Sequence, residues 1–213
     1  MTTFLLIRHG ESLANVNGRF AGHLDVPLSE TGHTQAAITA EYIRSHYTVD
    51  AVYASDLVRA FDTGKAVADR LNLPVTPDNA FREIFAGDWE GAVYDDLPKR
   101  FPASFHIWLT DIGNAVCDHG ESVAHLQERV LTALRRIAAE HDGQTVAIAT
   151  HATPIRSLQC FCEGKPLGDM KTVPWVSNAS ITVVEYDNDA FRLFEVGKDA
   201  HLGGQRTAFP KKI

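Results

Sequence analysis

Short apolar runs alternate along the chain with longer segments in which apolar residues recur at helical spacing. The runs at 3–7, 50–54 and 145–149 are short and almost wholly apolar, which is typical of buried strands. A further run at 74–77 begins and ends with proline, and this composition predicts a short strand at the edge of a sheet.

Four helices are predicted between and after these strands, since apolar residues in those segments return every three or four positions. Thr31 is expected to cap the first helix, because its hydroxyl can accept a hydrogen bond from the first turn. The predicted helices cover, in order, 31–43, 57–71, 121–141 and the residues from just after His151 to about Cys162.

The last apolar runs predict a hairpin, in which 181–186 and 191–196 are joined by the polar residues 187–189. Strands that alternate with helices indicate a mostly parallel sheet covered on both faces, and the hairpin adds an antiparallel edge strand. The predicted fold is therefore an α/β fold, a three-layer α/β/α sandwich.

Residues 88–118 do not follow this alternation. The segment contains short helical pieces separated by Pro98, Pro102 and Gly113. We expect an insertion that lies over one end of the sheet, outside the core, and forms a lid over the substrate. No linker or repeat divides the chain, and its 213 residues suit one domain over 1–213.

Charge and composition exclude several classes of partner. The 20 Lys and Arg residues are outnumbered by 27 Asp and Glu, which gives a net charge of −7. Apart from the pair at Lys211 and Lys212 there is no basic cluster, so nucleic acid is not an expected partner. An anionic substrate would need a local positive site, because the protein as a whole is acidic.

The three cysteines form no C-x-x-C pair, so neither a disulfide framework nor a zinc cluster is indicated. No apolar stretch approaches the roughly 20 residues of a membrane span, and the run at 4–7 is too short for a signal peptide. The expected location is the cytoplasm, without a membrane partner. The sequence leaves the oligomeric state open.

Polar residues follow three of the predicted parallel strands. His9 follows the first strand, Arg59 comes shortly after the second, and His151 follows the run at 145–149. Because ligands of such sheets bind beyond the carboxyl ends of the strands, these side chains are expected to converge. Arginine captures phosphate oxygens and a neutral imidazole is a nucleophile, so the hypothesis is phosphoryl transfer through a phosphohistidine.

An ordered set of motifs resembles the histidine phosphatase superfamily, which includes the cofactor-dependent phosphoglycerate mutases. The resemblance extends from about residue 3 to 185. Its motifs in this sequence are Arg8-His9-Gly10-Glu11-Ser12, Asn15, Phe20-Ala21-Gly22, Asp25, Leu28-Ser29-Glu30-Thr31-Gly32, Ser55 to Thr63, Arg82-Glu83-Ile84, Gly87-Asp88-Trp89-Glu90-Gly91, Gly120-Glu121-Ser122 and Thr150-His151.

The resemblance implies a role for each matching residue. His9 is the expected nucleophile, with its second ring nitrogen held by a backbone carbonyl. Arg8 and Arg59 are expected to bind the phosphate, and a protonated His151 to stabilise the transition state. Glu83 is implied as the general acid and then the general base. In the substrate-binding set, Asn15 adds a neutral donor and Ala152 a backbone N–H; no metal or other cofactor is implied.

Two positions separate the branches of this family. The acid phosphatase branch has an Asp directly after the second histidine, whereas His151 is followed here by Ala152, which leaves Glu83 as the acid. Mutases carry R-H-Y-G-x-L after that acid, whereas residues 84–91 read Ile-Phe-Ala-Gly-Asp-Trp-Glu-Gly, as in phosphatase members. The sequence therefore favours a phosphatase of small phosphate monoesters over a phosphoglycerate mutase.

Other functions stay open. A catalytically silent sensor of phosphate ligands would use the same scaffold, but such a protein is expected to lack either the nucleophile or the acid. Glu83 can instead be interpreted as a salt-bridge partner of Arg82 or Arg59. The physiological substrate is also open among sugar phosphates, phosphorylated hydroxy acids, phosphoserine and nucleotide-like esters.

Overall fold

The computed structural model describes residues 1–207, and its central feature is a six-stranded sheet. Lys211 and Lys212 lie outside the described residues. The strands are β1 (Thr2–Arg8), β2 (Ala51–Ala54), β3 (Val75–Pro77), β4 (Thr145–Thr150), β5 (Ile181–Asp187) and β6 (Ala190–Lys198).

Their order in the sheet is β3-β2-β4-β1-β5-β6. β1, β2, β3 and β4 pair in parallel, whereas β5 runs antiparallel to both β1 and β6. The predicted mostly parallel sheet with antiparallel pairing at one edge is therefore confirmed.

Helices cover both faces of the sheet, which makes the three layers. The α-helices are α1 (Leu13–Val16), α2 (Glu30–His46), α3 (Val58–Leu71), α4 (Leu97–Arg100), α5 (Pro102–Thr110), α6 (Val123–Glu140) and α7 (Ala152–Cys162). Short 3-10 turns lie at Asn79–Phe81, Gly87–Trp89, Tyr94–Asp96, Ile112–Asn114, Leu167–Thr172 and Ala200–Gln205.

The two faces of β1 separate the core into two apolar clusters. Phe4 and Leu6 point to one face and pack in the cluster that includes residues of α6 and α7. Leu5 and Ile7 point to the other face and pack with residues of α2 and α3. Side chains alternate between the faces of a strand, so a strand covered on both sides is apolar at every position.

The expectation that residues 88–118 lie outside the core is wrong. Trp89, Phe105 and Trp108 belong to the same apolar cluster as Phe4 and Leu6 of β1. The Trp89 side chain is completely buried, and its ring packs edge-on to those of Phe105 and Trp108. Because turns and prolines interrupt this segment, its apolar residues show no regular spacing in the sequence. Those residues are nevertheless sufficient to extend the core beyond the end of the sheet.

Two turns show how local sequence sets the element boundaries. Ser29, and not Thr31, caps α2, because its Oγ accepts a hydrogen bond from Gly32 N at 3.0 Å. Asn188 and Asp189 connect β5 to β6 with φ values of 48° and 60°. Asn and Asp tolerate this left-handed conformation, which a two-residue hairpin turn requires.

Among residues 1–207, no helix combines the length and the apolar character needed to cross a lipid bilayer.

Candidate active site

A cavity lies beyond the carboxyl ends of β1, β2 and β4, where the strand order predicts a ligand site. Six of the seven predicted site residues line it, and His151 lies directly behind them. The lining residues are Arg8, His9, Ser12, Asn15, Arg19, Phe20, Ala21, Gly22, Arg59, Glu83, Tyr94, Trp108, Ala152, Thr153, Arg156 and Trp175.

The His9 ring is fixed by its own loop. Nδ1 lies 2.6 Å from the carbonyl oxygen of Gly10, and since a carbonyl only accepts, Nδ1 carries the ring hydrogen. Nε2 is consequently unprotonated in the neutral ring and has a lone pair for nucleophilic attack. Burial lowers the pKa of His9 well below its ordinary value, and the charges of Arg59 and Arg8 lower it further. His9 is therefore neutral at physiological pH.

Backbone contacts hold the loop that carries His9. Asn178 donates from Nδ2 to the His9 carbonyl at 3.0 Å, and Ala179 N donates to the same carbonyl at 3.2 Å. Gly10 N donates to Thr63 Oγ1 at 3.1 Å, which joins this loop to α3. The segment around Asn178, just before β5, thus supports the loop of His9.

His151 contacts His9 from behind the cavity. The two ring centroids are 5.1 Å apart and the rings are tilted by 61°. His151 Nε2 lies 2.9 Å from Ser55 Oγ, whereas Nδ1 is buried and has no hydrogen-bond partner. Burial, followed by the charge of Arg59, lowers the pKa of His151 well below its ordinary value. Desolvation and neighbouring cations therefore disfavour the charged ring in this structure, and the protonated His151 expected in the transition state stays a prediction.

Two buried arginines flank the histidines, and backbone carbonyls position both. Arg8 donates from Nη1 to Val176 O at 2.7 Å, and Arg59 donates from Nη2 to Gly22 O at 2.7 Å. Neither guanidinium forms an ion pair with a carboxylate of the described residues, and the Nε of each is buried without a partner. Burial lowers the pKa of Arg8 to about 10, so it stays charged at neutral pH.

Asn15 and Ala152 complete the predicted phosphate-binding set. Asn15 Oδ1 accepts from Ser12 N at 3.0 Å and from Asn178 Nδ2 at 3.3 Å, which leaves its Nδ2 as a donor on the cavity wall. Ala152 is the first residue of α7, so its N–H lies at the positive end of a helix.

Glu83 is half-buried and binds backbone amides. Its Oε1 accepts from Ile84 N at 2.8 Å, and Oε2 accepts from Thr153 N at 3.3 Å. Arg82 pairs with Asp56 instead, at 2.6 Å, and Glu83 forms no salt bridge with it or with Arg59. The interpretation of Glu83 as a salt-bridge residue is therefore wrong, and its carboxyl faces the cavity that contains His9.

The cavity also contains residues that the sequence reasoning missed. Tyr94 and Trp108 come from the segment 88–118, Arg156 comes from α7, and Trp175 comes from the loop before β5. The signal for Arg156 was present, because a charged residue in the second turn of an apolar helix that starts beside a site residue is unusual. Trp175 had no comparable local signal.

Within the described part of the chain, no group of three or more His, Cys, Asp or Glu residues is arranged to hold a metal ion.

Comparisons with known proteins identify the family of this chain. The model of the histidine phosphatase superfamily (branch 1) matches residues 4–199. Phosphoserine phosphatase 1 of Hydrogenobacter thermophilus is 30% identical over 203 residues, which are 95% of each chain. Phosphoglycerate mutase-like protein 4 of Arabidopsis thaliana is 33% identical and aligns with 96% of this chain and 93% of its own.

Among solved structures, YhfR of Bacillus stearothermophilus superposes with a TM-score of 0.90 at 31% identity, over 95% of this chain and 100% of that one. The family match covers nearly the whole sequence and includes every residue of the predicted site. The chain belongs to branch 1 of the histidine phosphatase superfamily.

Proposed function

We propose that this protein is a phosphatase that hydrolyses small phosphate monoesters through a phosphohistidine at His9. One observation carries the proposal. The neutral imidazole of His9, with a free Nε2, lies in a cavity lined by Arg8 and Arg59, whose buried Nε donors have no hydrogen-bond partner among the described residues. It also contacts His151, whose buried Nδ1 has no such partner either. Buried donors are rarely left unpaired, and the three equatorial oxygens of a phosphoryl group would satisfy them.

In the first step, His9 Nε2 attacks phosphorus and the bond to the ester oxygen breaks. Arg8, Arg59 and the N-terminus of α7 stabilise the charge on the phosphoryl oxygens. Glu83, in its protonated form, gives its proton to the departing alkoxide, so that a neutral alcohol leaves.

In the second step, water attacks the phosphohistidine. The Glu83 carboxylate accepts a proton from the water as the new P–O bond forms and the P–N bond breaks. Inorganic phosphate leaves, and both the neutral His9 and the protonated Glu83 are restored. The cations of the protein supply the positive field, so we propose that neither a metal nor an organic cofactor takes part.

His151 acts as an electrostatic partner of the phosphoryl group. Its pKa is depressed by burial and by the charge of Arg59 while no anion faces it. A phosphate dianion beside Nδ1 would favour the protonated ring. We propose that His151 becomes charged when substrate binds, which would add a donor at the moment that negative charge accumulates on the oxygens.

The segment 88–118 forms the lid of the site in this proposal. Tyr94 and Trp108 supply apolar surface to the cavity wall. The same segment is anchored in the core through Trp89, so it closes the cavity as a packed wall. The leaving alcohol would lie against this wall, which makes the segment the main determinant of substrate size.

The location proposed for the enzyme is the cytoplasm. Cys117, Cys160 and Cys162 are all free, and burial raises the pKa of the Cys117 thiol to about 12. Unpaired, unreactive thiols suit a reducing compartment.

The experiment is release of phosphate from p-nitrophenyl phosphate without added metal. The wild-type protein is expected to turn over, and His9→Ala is expected to lose at least 1,000-fold in kcat, on the order of what an activated nucleophile contributes. The exposed His33→Ala serves as the matched control. If wild type and His9→Ala were equally inactive while both bound phosphate esters, the protein would instead be a sensor.

A coupled assay from 3-phosphoglycerate with catalytic 2,3-bisphosphoglycerate tests the mutase alternative. We expect release of inorganic phosphate to exceed formation of 2-phosphoglycerate. Isomerisation far above phosphate release would assign the protein to the mutases.

A further inference from the structure

Arg156 is a buried cation of the cavity that the phosphatase chemistry does not use. It lies one turn beyond Thr153 in α7, and only 7% of its surface is exposed. Nη2 donates to Met170 O at 3.0 Å, whereas Nε is buried without a partner. No carboxylate of the described residues forms an ion pair with it. A buried guanidinium without an anion is costly, so its position indicates a ligand with negative charge.

Trp175 places Arg156 next to the phosphate-binding residues. The guanidinium of Arg156 lies 4.9 Å from the centre of the Trp175 ring, and that of Arg8 lies 5.3 Å from the same centre. Both arginines line the same cavity. An anion bound at Arg156 would therefore be a neighbour of the phosphoryl group and would belong to the same substrate.

Tyr94 adds a second donor at this position. Tyr94 lines the cavity, and its buried hydroxyl has no hydrogen-bond partner among the described residues. Stacking on Phe20 and an edge contact with Phe105 hold the ring. Burial raises the pKa of Tyr94, and the Trp108 side chain and then the nearby charge of Arg156 oppose that rise. The hydroxyl consequently stays protonated and can donate.

The charge of the cavity wall exceeds what one phosphate needs. Arginines line it at four positions, and Glu83 is the one carboxylate among its lining residues. Both histidines are neutral, because burial lowers their pKa values. A phosphate dianion leaves positive charge uncompensated, and one more negative group on the substrate would neutralise it.

We propose that Arg156 and Tyr94 form a second anion subsite, which binds a carboxylate on the leaving alcohol and makes phosphorylated hydroxy acids the preferred substrates. The two donors suit the two oxygens of a carboxylate. The contact with Trp175 holds Arg156 beside the phosphate-binding residues. This inference rests on the proposed phosphatase function and adds the substrate class to it.

The test compares two esters that differ only in this group. 3-Phosphoglycerate has a carboxylate where glycerol 3-phosphate has a hydroxymethyl group. Wild type is expected to show a higher kcat/KM for 3-phosphoglycerate. Arg156→Met, which keeps the stem on Trp175, is expected to lower the ratio of the two kcat/KM values by about tenfold to a hundredfold, mainly through KM. Tyr94→Phe is expected to lower the same ratio by a smaller factor.

Arg135→Met is the matched control, because this exposed arginine also lies over an aromatic ring, that of Phe191, but does not line the cavity. In Arg135→Met, the ratio of the kcat/KM values for 3-phosphoglycerate and glycerol 3-phosphate should equal that of wild type. If Arg156→Met weakened both esters equally, Arg156 would bind the transferred phosphoryl group and the subsite would be refuted. An unchanged ratio would refute it as well.

Binding to the His9→Ala variant separates this inference from the function on which it rests. Calorimetry is expected to show tighter binding of 3-phosphoglycerate than of glycerol 3-phosphate, with the difference lost when Arg156→Met is added. That result would support the subsite even if wild type hydrolysed neither ester. Equal affinities of His9→Ala for the two esters would overturn it.

Discussion

His9 and His151 lie in the same buried environment, and their hydrogen bonds give them different tasks. Both rings are neutral because burial and the neighbouring arginines lower their pKa values. His9 has Nδ1 bound to Gly10 O, which leaves Nε2 as the proposed nucleophile. His151 has Nε2 bound to Ser55 Oγ, which leaves Nδ1 beside the proposed phosphoryl position. The partner of one nitrogen therefore determines what the other nitrogen does.

Glu83→Gln is expected to slow esters with poor leaving groups more than activated ones. The alkoxide of glycerol 3-phosphate needs a proton in order to leave, whereas p-nitrophenolate leaves without one. We expect kcat/KM to fall about 100- to 10,000-fold for glycerol 3-phosphate and clearly less for p-nitrophenyl phosphate. Steady-state assays with both esters measure the two losses.

Glu128→Gln is the control for this comparison, because Glu128 is an exposed residue of α6 that makes no polar contact with other residues of 1–207. Equal losses for the two esters would mean that Glu83 binds substrate without transferring a proton.

The meeting of Arg8, His9 and His151 at one end of the sheet was predictable because these residues follow strands and carry recognisable side chains. Arg8 and His9 end the first apolar run, and His151 ends a later one. Trp175 and Tyr94 were not predictable, since their places in the cavity depend on how distant loops pack. The lowered pKa of His151 was not predictable for the same reason, because burial is a property of the folded chain.

The turn after β1 requires two glycines. A Cβ on Gly10 would approach the Gly32 carbonyl more closely than van der Waals contact allows, and one on Gly32 would collide with Glu11 O. The loop of His9 and the start of α2 can therefore meet only if both residues lack a side chain. This close approach determines where the His9 ring lies.

Gly10→Ala should displace the loop of His9 and reduce activity. A shift of about 1 Å at a reacting group can reduce the rate about 100-fold, so a loss of that size in kcat is expected. Gly204→Ala is the control, since nothing lies within 4 Å of its added Cβ. Steady-state kinetics with p-nitrophenyl phosphate measures both variants. Full activity in Gly10→Ala would show that the tight turn is not needed.

The order of helices and strands followed from the apolar pattern, because those elements are long or continuous. The packing of the segment 88–118 in the core did not follow from this pattern, since its helices are short and its core contacts come from single aromatic residues such as Trp89 and Phe105. Prolines and glycines predict turns reliably, but they do not tell whether the turns lie on the surface or in the core.

The two buried histidines make the stability of the whole molecule depend on pH. Two histidines are held neutral in the folded chain, whereas in the unfolded chain each titrates near its ordinary pKa of 6.5. Below that pH the unfolded chain binds more protons than the folded one. The free energy of unfolding should therefore decrease as the pH falls below about 6.5.

His9→Asn should weaken the pH dependence of the free energy of unfolding, because it removes one of the two groups that take up a proton on unfolding. The slope of the free energy of unfolding against pH is expected to be lower than in wild type by up to about 1.4 kcal/mol per pH unit below the ordinary histidine pKa. Urea denaturation at several pH values between about 4.5 and 7 measures both slopes. The exposed His33→Asn is the control. Parallel curves for wild type and His9→Asn would contradict a buried neutral ring.

The most direct test of the account is to trap the phosphorylated enzyme during turnover. A reaction with a phosphate ester is stopped within milliseconds in alkali, because phosphohistidine is unstable in acid, and the digested protein is analysed by mass spectrometry. A phosphoryl group is expected on Nε2 of His9, formed and lost at rates that match turnover. Product formation with His9 unmodified, or with the phosphoryl group on His151, would contradict it.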